Sequence, residues 1–149
     1  MVGFLVFLQN PIFTLLFLWA SYRATSISQK LFPKSNMTNG IGNAFRHSLW
    51  CSLILMYCCK VSSPEKSLVF CKKITNLHEE FFPNESLETK MDLHNNQVGM
   101  DYFMSLLSEI HRQFFETSFL VNGLLKKTET AQKINAASDN FPTELVYLE

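Results

Sequence analysis

The chain opens on an uncharged run, Met1 to Tyr22, in which more than half the residues are Leu, Phe, Val or Ile. No other stretch restricts the possible folds as much, because that length can span a bilayer, lead a secretory pathway or become a core helix. A secretory signal is disfavoured: no Lys or Arg precedes the apolar run, and no small-x-small site follows it. Gln9-Asn10-Pro11 interrupts the run with an N-cap residue followed by proline at the first helical position, a standard helix start. From there Leu16, Ala20, Ala24, Ile27 and Leu31 recur every three to four residues, while Arg23, Ser26, Gln29 and Lys30 take the other side. The reading is a mostly buried helix over Pro11 to Leu31 behind a short leader at 1–9, which implies a cytoplasmic protein. The alternative is membrane association through residues 1–22.

A length of 149 residues predicts one domain with a real core. An apolar fraction of 47% and 14 Phe exclude a disordered segment. Thirteen basic residues balance 13 acidic ones, so charge indicates no nucleic-acid or acidic-membrane partner. Five Gly and five Pro without regular turn signals argue against an all-β design. Cys51, Cys58, Cys59 and Cys71 show no CxxC spacing, which disfavours a zinc ribbon and leaves buried free thiols as the expected state.

Further along, Pro, Gly and Asn mark 32–42 as a loop, and Asn43 reads as the cap of a second helix running to about Lys60. Ser63-Pro64-Glu65 repeats the cap-then-proline signal and opens a third helix, ending near Glu80. A loop at 81–88 precedes a fourth helix, read from Thr89 past Gly99 to about Leu125 on the apolar stripe of Phe103, Leu107, Phe114 and Val121. Residues 10–125 then form a single all-α domain, a bundle of about four main helices, and 126–149 a polar tail whose end docks or frays.

Three short polar signatures stand out from this apolar scaffold. Arg46-His47 with Trp50 opens the second helix; His47 can ligate a metal or move a proton, and the planar fork of Arg46 can hold a carboxylate. His78-Glu79 closes the third helix, but adjacent helical positions diverge by about a hundred degrees, so the pair does not form an HExxH zinc site. Asp92, His94, Asn95 and Asn96 crowd into the fourth helix, where Asp92, Asn95 and Asn96 share a face and Gly99 permits close backbone approach. Unpartnered, the buried amides would cost on the order of 1–3 kcal/mol each. They must therefore cap loops, hold a second carboxylate or coordinate an ion. Asp and Asn oxygens suit Mg²⁺ or Ca²⁺, and an added His suits Zn²⁺ or Mn²⁺. The bland alternative is an internal hydrogen-bond network tying the fourth helix to the preceding loops.

Taken together, Asn39-Gly40, Asn43-Ala44-Phe45-Arg46-His47-x-x-Trp50, His78-Glu79 and Met91-Asp92-Leu93-His94-Asn95-Asn96-x-x-Gly99 resemble the motif set of an uncharacterised bacterial domain family, also seen in toxin-like chains. The resemblance covers about residues 10 to 100. It implies a soluble helical domain whose leading helix starts at an Asn-Pro such as Asn10-Pro11. Two positions depart from the pattern: Asn43 stands where the family carries Asp, and Met100 replaces a polar residue after the last glycine.

The combined expectation is a hydrolase-like site, dependent on a divalent metal ion, with His47, His78, Glu79 and Asp92 as ligands or acid/base groups. Arg46, Trp50, His94, Asn95 and Asn96 would bind or orient. Its rival is a non-catalytic module whose polar cluster is purely structural. Convergence of His47, Asp92 and either His78 or Glu79 to within one ion's reach is the geometric requirement of the first reading.

Overall fold

Pro11 sets the first helical turn, and the backbone carbonyl of Asn10 accepts from the Thr14 amide at 2.9 Å. The computed structural model describes residues 10–136 and 140–149. Along them run helices α1 (Pro11–Leu31), α2 (Ile41–Val61), α3 (Pro64–Phe81), α4 (Ser86–Leu106) and α5 (Thr117–Thr128), with a 3-10 turn at Arg112–Phe114. Two short strands, β1 (Gln132–Lys133) and β2 (Val146–Tyr147), pair in parallel. This is the expected all-α fold, and α1 covers the predicted span. Ser63 caps α3 as predicted, its hydroxyl accepting from the Lys66 amide.

The organising element is α2, which is buried on every side: Phe45, Leu49, Leu53, Ile54 and Leu55 have no exposed surface. A helix apolar all round belongs at the centre, and α1, α3, α4 and α5 all pack against it. The approach of α1 is close because Ala20, Ala24 and Ser28, one turn apart, form its buried stripe. The remainder of α1 is less covered than the sequence suggests. Its partners are α2 and, through Phe13 against Phe70 at 5.0 Å, α3; Ile12, Leu15, Leu18, Trp19 and Tyr22 stay exposed. Among the described residues, no helix is long and apolar enough to cross a membrane. The predicted leader at 1–9 lies outside the described residues.

Three boundaries differ from the sequence reading, one of them slightly: the fourth helix opens at Ser86 instead of Thr89. The second helix begins at Ile41 with Gly40 at its cap position, so Asn43 sits inside the first turn and its side chain is free for other partners. The fourth helix stops at Leu106 instead of running to Leu125. Tertiary anchoring overrides the periodic stripe here. Arg112 donates to the Ser62 carbonyl, Gln113 to Lys60 O at 3.0 Å, and Lys60 Nζ to Phe115 O at 3.1 Å. These bonds tie the break to the end of α2, and Phe115, not Phe114, enters the core beside Phe103 at 4.6 Å.

The α2–α4 crossing is a close approach of two backbones. A Cβ placed on Gly99 would lie 2.1 Å from the Ser48 carbonyl oxygen, and Ser52 Oγ donates to Gly99 O at 2.8 Å. The glycine is thus where one backbone slides against another, as its position in the motif suggested. The end of the chain docks: Leu145 and Val146 are fully buried, and Leu148 N donates to Asn39 O at 2.8 Å. All four cysteines are buried and unpaired, and burial pushes the Cys58 thiol up to about 12.

Candidate functional site

The α2–α4 crossing brings the first turns of α2 over the middle of α4, with the end of α3 alongside. Asn43, Arg46 and His47 come from α2, Glu79 from α3, and Asp92 and Asn96 from α4. His47, Glu79 and Asp92 are 3%, 6% and 3% exposed, so their polar atoms must find partners within the protein.

Most do. Arg46 donates through Nε to Asn36 O at 3.0 Å and through Nη2 to Asn43 Oδ1 and, at 3.2 Å, to His47 Nε2. A guanidinium only donates, so Nε2 is the acceptor and the proton of His47 sits on Nδ1, facing Asn96 Oδ1 at 3.1 Å. Asp92 accepts from Asn43 Nδ2 at 3.1 Å and from Asn84 Nδ2 at 3.5 Å, and its Oδ1 lies 3.5 Å from His47 Nε2. Three buried side-chain atoms remain without a hydrogen bond among the described residues: Glu79 Oε1, Asn96 Nδ2 and Asn36 Oδ1. The Asn96 amide is near enough to favour the Glu79 carboxylate, yet the pair makes no bond within hydrogen-bonding distance.

Burial dominates the electrostatics. Desolvation, reinforced by the Arg46 charge, lowers His47 to about 3 and keeps the ring neutral. The same desolvation raises Asp92 to about 6 against the pull of Arg46 and Asn43. Glu79 rises to about 7, from burial and from the neighbouring Asp92 charge. Two carboxyl groups with raised affinity for protons and one neutral imidazole share the site. One ligand atom from each of His47, Glu79 and Asp92 lies within 4.8 Å of the others.

The remaining predicted site residues fall elsewhere. His78 is half-buried, its ring between Trp50 at 5.1 Å and Phe82 at 5.0 Å, and it does not join the trio, in keeping with its adjacency to Glu79 on a helix. Trp50 is a wall; its Nε1 donates to Ser21 Oγ at 2.8 Å. His94 and Asn95 serve the chain end instead of the cluster. The His94 ring bonds Glu144 O at 2.8 Å, and Asn95 brackets Val146, donating to its carbonyl at 2.9 Å and accepting from its amide at 3.0 Å. Asn84 and the bridging role of Asn43 were not anticipated. Read as loop filler and as a cap, these two residues carried no signal that their amides converge on Asp92.

Two cavities flank the buried cluster. One, of about 270 Å³, lies between α1, α2 and α3 and is lined by Phe17, Leu18, Ser21, Arg46, Trp50 and His78, among others. The other, of about 280 Å³, is reached by Glu79 together with Asn76, Glu80, Thr89 and Leu93.

A small helical bundle with a buried His/Glu/Asp cluster at the crossing of its central helix is the class that this architecture defines. Residues 4–132 match the family described as a domain of unknown function (DUF6973), and the chain belongs to that family. No curated protein and no solved structure matches it.

In protein dialysed against chelator the two raised carboxyl groups should govern the local pH response. Unfolded, they titrate near 3.9 and 4.3; folded, near 6 and 7. A group whose pKa is raised by folding stabilises below its unfolded value, and that contribution fades as pH rises through the folded value. His47 acts oppositely: its contribution is present above 6.5 and is lost as pH falls toward about 3. Asp92→Asn keeps the shape of the protonated acid, so its melting-temperature deficit should narrow between pH 4.5 and pH 8 under chelator. A deficit that widens with pH would refute the assignment of Asp92 as a burial-raised acid.

Proposed function

We propose that this domain is a hydrolase whose site is a divalent cation held by His47 Nε2, Glu79 and Asp92. The observation that carries this reading is the incomplete shell: three ligand atoms gather within 4.8 Å, and Glu79 Oε1 is buried with no hydrogen-bond partner among the described residues. One imidazole nitrogen with two carboxylates suits Zn²⁺ or Mn²⁺ better than Mg²⁺ or Ca²⁺. The Asn96 oxygen on Nδ1–H fixes the tautomer that leaves Nε2 as the ligand atom, the outer-shell arrangement common to metal-bound histidines. Glu79, which reaches a cavity, is the group best placed to take a proton from an attacking water near neutral pH. The four free thiols fit a cytoplasmic setting.

A second reading rests on one observation. Arg46 Nη2 already occupies the Nε2 lone pair, so the guanidinium can be the cation that balances Asp92 and Glu79. The cluster would then be a structural network, and a metal would have to displace Arg46. Elemental analysis of purified protein separates the two. Near-stoichiometric Zn or Mn that is lost in Asp92→Asn, with only a modest fall in melting temperature, is the expected result. Absence of metal after reconstitution, with a large fall in melting temperature for the same variant, would establish the network instead.

A further inference from the structure

Arg46 feels the charges of Asp92 and Glu79, but from beyond ion-pair distance. The ion pair within 4.0 Å among the described residues is His47–Asp92, and no carboxylate oxygen comes that close to the guanidinium. Its Nε and Nη2 point inward, to Asn36 O, Asn43 Oδ1 and His47 Nε2. Nη1 has no hydrogen-bond partner among the described residues, and Arg46 lines the cavity of about 270 Å³ between α1, α2 and α3. Nη2 spends both its N–H groups on Asn43 and His47, so the guanidinium offers an incoming anion the N–H groups of Nη1 alone, a single-nitrogen contact and not a two-nitrogen fork.

The rest of the cavity sets what that anion is attached to. Phe17, Leu18 and Ala24 give it an apolar side, and the Trp50 indole, held by its bond to Ser21 Oγ, borders it. His78 adds a second ring, held by Trp50 and Phe82. Besides Arg46, the lining has the hydroxyls of Ser21 and Thr25 and the His78 ring, and the Ser21 hydroxyl is already committed to Phe17 O at 2.8 Å. A phosphate dianion would need several donors, whereas a carboxylate is served by the N–H groups of Nη1. The open end lies by Leu18, which is 55% exposed.

We propose that this cavity binds an organic carboxylate with a compact aromatic or apolar body, the carboxylate on Arg46 Nη1 and the body against Phe17, Leu18 and Trp50. The inference deepens the hydrolytic reading, since a carboxylate is the acid product of ester or amide cleavage and Arg46 joins the pocket to His47. Its test does not depend on hydrolysis or on metal.

Trp19→Phe removes one of the two tryptophans and leaves Trp50 as the reporter. This protein, dialysed against chelator, is titrated with phenylacetate, phenylacetamide and inorganic phosphate while tryptophan emission is followed. Saturation by phenylacetate is expected near millimolar concentration, with at least about tenfold weaker binding of the neutral amide and no saturation by phosphate. Leu18→Asp at the exposed rim places a competing carboxylate beside Arg46 and should abolish the phenylacetate response without touching the core. Equal binding of phenylacetamide, saturation by phosphate, an unaffected Leu18→Asp variant, or no saturable response would each overturn the proposal. If Asp92→Asn binds phenylacetate and wild-type protein holds no metal, the carboxylate pocket stands and the hydrolytic reading falls.

Discussion

Gly99→Ala is expected to destabilise the domain by about 3 kcal/mol or more, a fall of roughly 10 °C in melting temperature for a domain of this size. In an ordinary exposed helix the same change would add close to 1 kcal/mol of helix propensity. Here the new methyl carbon would meet three backbone atoms of Ser48, at 2.1, 2.6 and 2.7 Å. Backbone cannot rotate away as a side chain can, so α2 and α4 must separate, which loosens the contacts of Phe45, Leu49 and Phe103. Thermal melting of Gly99→Ala measures the loss. Adding Ser48→Gly should not rescue it, because the collision is with Ser48 main chain. A variant melting within about 2 °C of wild type would show that the crossing is looser than the geometry states.

Asn95→Ala should produce the second large effect, confined at first to the chain end. The carboxamide satisfies both the amide and the carbonyl of Val146, which is fully buried. Each group left unpaired costs about 1–3 kcal/mol, so the docked segment loses most of what holds it. Asn95→Asp should fare little better: one oxygen still accepts from Val146 N, but the other now faces Val146 O. Limited proteolysis reports this directly. Cleavage within 130–149 should accelerate at least tenfold in Asn95→Ala while the helical fragment persists, and unchanged cleavage would remove Asn95 from its role as the clasp.

The parts of the fold legible in the sequence were those set by local chemistry. Asn10-Pro11 and Ser63-Pro64 marked two helix starts because proline at the first turn acts within a few residues. The meeting of Glu79 with His47 and Asp92 also followed from local reasoning, since buried carboxylates and imidazoles need partners. What escaped were roles decided by distant backbone. The break after Leu106 depends on the carbonyls of Lys60 and Ser62, about fifty residues away in the chain, and no periodicity records them. His94 and Asn95 read as site residues because their side chains are chemically suited to catalysis. A carboxamide that clasps a strand and one that orients a buried imidazole look alike until the strand is seen. Neighbours on one helix, Asn95 and Asn96 serve those two different tasks.

The distribution of the thiols gives these variants a common reporter. Cys51, Cys58 and Cys59 lie on α2 and Cys71 on α3, all buried, with none in the chain end that Asn95 holds. An aromatic disulfide reagent reacts only with thiolate that has reached solvent, so its rate counts openings of the central helix and ignores release of the terminus. Gly99→Ala should therefore label much faster than wild type under native conditions, whereas Asn95→Ala should label nearly as slowly as wild type despite its proteolytic sensitivity. The four cysteines thus divide the molecule into a sealed interior and a detachable margin, and a single absorbance trace can tell which of the two has given way.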